Sequence, residues 1–520
     1  MKKRLKKITA GLLSVLIAVG MLSFAPVAAT AAETARDSVG ASSGTTGDCT
    51  WTIDDNRVLT ISGNGEMGDF ESGSRPGGYV ESVIIEDGVT NIGNYLCFNN
   101  SWLKSVTIPD SVTRIGKYAF SGCRTLTSIT IPDSVTYIGE WAFQGCTGLN
   151  AVYNISDIEA WCGITFADWY CNPLICAHNL YLNNELVTDI TLPDGITAIR
   201  SFVFQGCSCL TGVTIPDSVT QIGGSAFNDC TNMTRVDIPD GVTEIGSSAF
   251  RSCRSLQQIA LPENVSIGTC AFDSCQSLTS IIIPDSVTKI DSDAFAHCKN
   301  LKSAHLSESL SIVPPGMFYE CTSLSSVNIP NGAKIMYNGV FEGCTALTEI
   351  TLPDGLEQIK HCVFQNCTGL KSIKIPDSVT QIGNYAFGDT GIKRITIPKG
   401  VTEIGVRAFG YCGTYSTSKI MGFTVCGERG STAETFARKN GFTFKALVSE
   451  DDPVGDANGD GMLTVRDVTA IQRILAEEIP LTDELRVIAD VNGDGTVNID
   501  DATCLQMYLA EYEVAIGKQS

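Results

Sequence analysis

The chain has 520 residues, with 36 Lys and Arg against 57 Asp and Glu, a net charge of −21, and 21 cysteines beside 50 glycines. So large an excess of carboxylates excludes a general nucleic-acid binder, which needs clustered cations to meet phosphates. Hydrophobic residues at 43% exclude wholesale disorder, and the odd cysteine count excludes complete internal pairing.

Lys2, Lys3, Arg4, Lys6 and Lys7 precede an apolar run from Ile8 to Phe24, and Ala29 and Ala31 then stand where an A-x-A cleavage would fall. This is the three-part layout of a secretory signal over residues 1–31, so a secreted protein is expected, and no later stretch is apolar for long enough to span a bilayer. Its removal leaves 31 basic against 57 acidic residues, a net of −26. Residues 32–45 read as a linker. Trp51-Thr52-Ile53 and Val58-Leu59-Thr60-Ile61, joined by Asp54-Asp55-Asn56-Arg57, read as a hairpin in an N-terminal cap over 46–80.

The phrase from Leu126 to Cys146 then recurs along the middle of the chain. Its Phe returns at 120, 143, 204, 227, 250, 272, 295, 318, 341, 364, 387 and 409, in steps of 22 or 23 with one gap of 61. Apolar residues in one unit, Leu126, Ile129, Ile131, Val135, Ile138, Phe143 and Cys146, mix steps of two with longer ones, which suits short strands joined by tight turns. Pro132 would end a strand and Gly139 would make the next turn. No single unit can bury its own apolar side, so stacking into a mainly β solenoid is predicted over 81–412.

Eleven cysteines, Cys123, Cys146, Cys207, Cys230, Cys253, Cys275, Cys298, Cys321, Cys344, Cys367 and Cys412, stand three residues after the repeated Phe. A column of constant phase points inward, and Cys packs there as a small hydrophobe, so these thiols are expected reduced and buried. The long gap reads as an insert around 151–188, with a capping box at Ser156-Asp157-Ile158-Glu159 opening a helix ahead of Trp161. Cys162, Cys171, Cys176 and His178 fall within it, at spacings unlike those of structural zinc sites. Two residues before the repeated Phe, aromatics gather at the amino-terminal end as Tyr118, Trp141 and Phe202, where they would cover apolar edges or stack on sugars. Residues 413–447 read as a C-terminal cap holding a helix from Thr432 to Lys439 that stops at Asn440-Gly441, and 448–455 as a linker.

The repeat resembles the BspA-like leucine-rich repeats of bacterial surface and secreted proteins. The resemblance implies a non-catalytic solenoid that binds a protein or glycan ligand, and inserts of this kind are known in the family.

From 450 to 520 there are sixteen acidic and four basic residues, and the acids are phased. Two loops begin 34 residues apart, at Asp456 and Asp490. Positions 1, 3, 5, 7, 9 and 12 hold Asp456, Asn458, Asp460, Met462, Thr464 and Asp467 in the first loop, and Asp490, Asn492, Asp494, Thr496, Asn498 and Asp501 in the second. With Gly461 and Gly495 at position 6, this is a Ca²⁺ donor pattern, position 7 giving its carbonyl, and two ions are expected. Asp replaces the usual Glu at position 12, no amphipathic helix precedes Asp456, and helices are predicted at Val465–Ala476 and Ile499–Ala510.

Two such loop-helix units resemble a type I dockerin over 456–514, a small α-helical calcium-binding module that plugs proteins into the cohesins of cellulosome scaffoldins. The resemblance implies a cohesin partner, attachment at a cell surface or scaffold, and a setting of plant polysaccharide breakdown. It also implies contacts through Val465, Arg466, Gln472 and Arg473 in the first copy and Ile499, Asp500, Gln506 and Met507 in the second. These differ between copies, so one preferred binding orientation is expected. A hydrolase would need paired carboxylates in a cleft, but Asp110, Asp133, Asp217, Asp285 and Asp377 follow the repeated Pro as turn residues, and His178, His297, His305 and His361 fall in no catalytic motif. An interaction protein is therefore expected, with a surface adhesin as the alternative and a hydrolase component of the assembly behind it.

Overall fold

A computed structural model describes residues 42–71, 75–76, 80–154, 158–413, 418–447, 453–460 and 462–510. The signal segment 1–31, Ser156 and Asp157 of the proposed capping box, Gly461, and linker residues 448–452 lie outside the described residues.

Strands β1 (Ser42–Thr46), β2 (Cys49–Ile53) and β3 (Val58–Gly63) form an antiparallel meander, and β3 then pairs in parallel with β4 (Ser82–Ile85). The end of the segment read as a linker is therefore a strand. Its register Gly44↔Trp51 lays a glycine against the indole, and a Cβ at Gly44 would meet the Trp51 ring at 2.7 Å. The meander hands its last strand directly to the repeats, so one sheet runs from cap to solenoid.

Successive turns then lay down three parallel ladders, the first of them broken into several short sheets. One joins the Ile-x-Ile segments, as in Asp189↔Gly212↔Arg235. A second joins two-residue strands such as Asn91↔Arg114↔Tyr137. The third is made by turn residues around the repeated Phe, where the Phe227 N–H donates to the Ala249 carbonyl at 2.8 Å and the Phe250 N–H to the Ala271 carbonyl at 2.8 Å.

Left-handed backbone makes that third ladder. Residues two before and two after the Phe have positive φ in nearly every turn, for example Ser248 (58°) and Ser252 (59°) around Phe250. Residues found there include Gly, Asn, Asp, Ser and aromatics, and none of these left-handed residues is β-branched, since Val, Ile and Thr tolerate the conformation worst.

The core is a single column. Phe204, Phe227, Phe250, Phe272 and Phe295 stack with centroids 5.2–5.4 Å apart and planes within 9°. Eight of the eleven ladder thiols donate to the carbonyl of the Phe one turn back, as Cys253 does to Phe227 (3.2 Å) and Cys298 to Phe272 (3.2 Å), and Cys123 donates to the Cys97 carbonyl in the same way. This accounts for Cys at the position better than size alone. That carbonyl already accepts the N–H of the Cys three residues on, as Phe227 does from Cys230 at 3.2 Å, and the weak S–H of the next turn meets its second lone pair. Burial pushes the Cys146 thiol up to about 12.

Cys412 departs from the column. It is only half buried and lies in a two-residue strand paired with Ser418–Lys419, because the chain leaves the repeat path there. Cys207 sits in the column, but its Sγ is 3.4 Å from that of Cys209.

The insert is woven into the stack. Ala151–Asn154 pairs with Ser128–Ile131, Thr165–Phe166 with Tyr137–Ile138, and Leu180–Leu182 with Ala151–Asn154, so it supplies both main ladders before a short hairpin at Glu185–Leu186. Helices α1 (Ile158–Gly163) and α2 (Leu174–Ala177) occupy its turns. Trp161, fully buried, lies in the gap of the Phe series and donates its indole N–H to the Val203 carbonyl at 2.9 Å.

At the far end Arg394–Thr396 pairs in parallel with Thr424–Gly427 and that strand with Thr443–Ala446, so the stack runs past residue 412. Between those strands α3 (Thr432–Asn440) ends at Gly441 with φ 66° and turns Phe436 edge-on to Phe409, 6.1 Å away at 82°, which terminates the stacked column. Beyond it α4 (Val465–Leu475), α5 (Asp483–Ala489) and α6 (Ile499–Leu509) enclose a separate small core around Ile471, Val491 and Leu505. No helix among the described residues is long and apolar enough to cross a membrane.

Candidate functional site: paired acidic loops

Two nearly equivalent loops precede α4 and α6. Thr464 caps α4 and Asn498 caps α6, and in each case the acid three residues on returns the bond, making a capping box. That acid is the twelfth loop residue. Asp467 accepts the Asn458 N–H on Oδ1 at 3.0 Å and the Thr464 N–H on Oδ2 at 2.9 Å, while Asp501 accepts from Asn492 at 3.1 Å and Asn498 at 2.8 Å. A short Asp side chain thus ties the helix start to position 3, which explains why Asp suits a place where Glu is the usual residue.

Asp467 and Asp501 are fully buried, and burial raises the Asp467 carboxyl above its ordinary range. Position 5 behaves alike in both loops: Asp460 accepts the Met462 N–H at 2.9 Å and Asp494 the Thr496 N–H at 2.8 Å. In the first loop, carboxylate oxygens of Asp456, Asp460 and Asp467 lie within 4.8 Å of one another.

Like charges this close repel, and a hard divalent cation reverses the sign. Asp490 Oδ1, at position 1 of the second loop, is buried without a hydrogen-bond partner. An orphaned buried oxygen beside Asn492 and Asp494 fits a metal whose ligands are all oxygens.

Two features escaped the sequence reading. Helix α5 leads straight into Asp490, so the second loop is entered from a helix although the first is not. Thr482 followed by Asp483 and Glu484, with the Thr482 side chain accepting from the Leu485 N–H at 3.2 Å, was the available signal. The other is Arg429 of the C-terminal cap, 3.2 Å from the fully buried Asp456, a contact between segments that no local pattern announces.

All eight residues expected to touch a partner are exposed. Val465 and Ile499 open their helices as equivalent apolar residues, 68% and 58% exposed. The next position carries opposite charge, Arg466 against Asp500. Further along, Gln472 matches Gln506, but Arg473, ion-paired to Glu478 at 2.9 Å, faces Met507 as its counterpart.

On the solenoid, the aromatic column is longer than expected. Tyr95, Tyr118, Trp141 and Tyr170 stack in sequence with centroids 5.0, 5.9 and 4.7 Å apart and planes within 23°, whereas Phe202 packs against the core. Rings stacked face to face present edges to solvent, so the inner faces are closed to a sugar. Cys162, Cys171, Cys176 and His178 do not converge. Cys171 donates to the Asp168 carbonyl (2.9 Å), Cys176 to that of Phe143 (3.7 Å), and His178 Nδ1 meets the Gly206 carbonyl (3.1 Å). Among the described residues, His297 Nδ1 is also 2.8 Å from Asp273. Burial pushes the Asp273 carboxyl up, but hydrogen bonds from His297 and Arg251 prevail and hold it low.

Comparison with known proteins agrees with this geometry. Residues 77–171, 176–302 and 290–416 match the family model for the BspA type leucine rich repeat region in six copies, and residues 454–510 match the dockerin type I domain. No curated protein matches the chain. A leucine-rich repeat protein from Bacteroides ovatus is similar in structure, with 26% identity, a TM-score of 0.52, and coverage of 77% of this chain and 98% of that one. A leucine-rich repeat protein from Eubacterium ventriosum has 21% identity and a TM-score of 0.43 over 68% of this chain and 96% of its own. A leucine rich cell surface protein from Faecalibacterium prausnitzii has 25% identity and a TM-score of 0.37 over 65% and 95%.

Proposed function

The chain belongs to the BspA type leucine-rich repeat family and carries a type I dockerin domain, and from that premise we propose that it is a secreted, non-catalytic interaction protein anchored through its C-terminal module. A dockerin implies a cohesin partner and a repeat solenoid implies protein interaction, and both families are non-catalytic. In the reading proposed, two Ca²⁺ ions fill the paired loops. Asp456, Asn458, Asp460, the Met462 carbonyl, Thr464 and Asp467 hold the first, and Asp490, Asn492, Asp494, the Thr496 carbonyl, Asn498 and Asp501 the second.

The ions would neutralise the clustered carboxylates and fix the starts of α4 and α6, so that Val465 and Ile499 present a rigid apolar face to cohesin. The scaffold would belong to an assembly that degrades plant polysaccharide, with the solenoid contributing a ligand surface for a protein or glycan. The observation that carries the reading is the matched pair of loops, in which each twelfth Asp is buried and bonded twice to backbone.

Capture by a panel of cohesins in calcium, abolished by a chelator, is the expected result; capture that survives chelation would refute calcium dependence. The copies differ in charge at Arg466 and Asp500. Double alanine variants at Ile499 and Asp500 and at Val465 and Arg466 are therefore expected to weaken binding unequally, by about ten-fold. Equal losses would show two interchangeable orientations.

A further inference from the structure

In this acidic chain one part of the solenoid is basic. Two consecutive turns carry Lys371 and Lys374, then Lys393, Arg394 and Lys399. All five side chains are exposed and line a single groove of about 1280 Å³. The repeat does not require them, since earlier turns hold Thr211, Thr279 and Thr348 at the position of Lys371, and Thr130, Thr214 and Thr351 at that of Lys374.

Local acids compensate only part of this charge. Lys399 pairs with Glu428 at 3.6 Å, Asp377 also lines the groove, and Arg394 Nε donates to Cys426 Sγ at 3.1 Å. Among the described residues, Lys371, Lys374 and Lys393 make no ion pair. Three exposed ammonium groups without ion pairs beside a smaller number of carboxylates, in a chain of net −21, create a local potential that attracts anions against the field of the whole protein.

We infer that this groove binds a carboxylated polysaccharide, a polymer of uronic acid residues. Lys371 and Lys393 hold equivalent positions on adjacent turns, five residues before Pro376 and Pro398, and line the same groove. A uronan offers one carboxylate per sugar in a regular row, which lets a single chain meet cations from both turns. The lining also includes Ile373, Pro398 and Leu447, apolar surface that suits the C–H faces of pyranose rings. A nucleic acid, with its dense phosphates, would be repelled by the rest of the surface. This inference deepens the reading above by naming a ligand class for the solenoid, and it rests on the solenoid being the ligand-binding part.

The test uses the full chain and oligogalacturonates too short to gel with calcium, with binding followed by calorimetry. Expected are salt-sensitive binding, loss of binding to the methyl-esterified oligomer, and a drop of about ten-fold or more in the Lys371→Glu, Lys393→Glu double variant. Both positions are exposed, so the variant should melt as the parent does, and a thermal scan checks this. No binding, equal binding by the variant, or tighter binding of polyglutamate or polyphosphate than of the oligogalacturonate would overturn the assignment. Cohesin capture by the same preparations separates the two proposals. Capture retained without uronate binding sinks only the groove, while loss of capture in the parent sinks the anchoring reading.

Discussion

In the solenoid, Phe272 is buried between Phe250 and Phe295, and the carbonyl of Phe272 is met by a thiol one turn on. In the dockerin, the fully buried residues include three acids of the loops, Asp456, Asp467 and Asp501. The first region satisfies itself with neutral groups repeated rung after rung. The second collects negative charge around a modest core and leaves its neutralisation to a partner from solution. Stability should therefore respond to different variables in the two regions, and each variable can be used to break the comparison.

The largest effect should come from alkaline pH. Burial raises the Cys146 thiol to about 12, and the other ladder thiols are raised in the same direction by burial. The unfolded chain ionises first, so stability is intact below about pH 9 and drains as pH climbs toward 12, by about 1 kcal/mol per buried thiol at pH 10. Denaturant midpoints at pH 7.5 and pH 10 would measure this, and the dockerin transition should move far less.

Next comes Phe272→Ala, which opens the column at its middle and should cost about 3–5 kcal/mol in the solenoid transition alone. Calcium removal should act the other way round. Chelation is expected to destabilise the dockerin by about 3 kcal/mol when the ion had been in hundred-fold excess over its dissociation constant. Circular dichroism should then report loss of helix with the solenoid melt unchanged. The smallest effect is a gain. Ser252 has φ 59°, and Ser252→Gly relieves a left-handed cost of about 1 kcal/mol, raising the solenoid melting temperature slightly.

Much of the stack was readable because every rung repeats the same demand on the side chains, so Phe, Cys and Pro fall in phase. What the phase could not show was backbone pairing by segments that ignore the pattern. Ala151–Asn154 and Thr443–Ala446 join the sheet through N–H and C=O groups, which every sequence carries, so β1 read as a linker and the woven turn as an insert. Cys412 shows the converse, a residue in phase whose chain has already left the path. In the dockerin, donor spacing revealed both loops, and the short helix α5 was hidden among the acids between the two loop-helix units. Arg429 against Asp456 is a long-range contact and had no sequence signal at all.

The rung-by-rung pairing also makes the solenoid a measuring stick. Because Ser82↔Ser105 and its successors repeat at a whole turn, duplicating or deleting one unit of 22 or 23 residues would shift everything beyond it by about 4.8 Å without disturbing a single inward side chain. A fractional change would put polar groups into the Phe column. Gene lineages of such proteins are thus free to alter reach in quantised steps, setting the distance between an anchored end and whatever the far end meets while leaving the chemistry of both ends untouched.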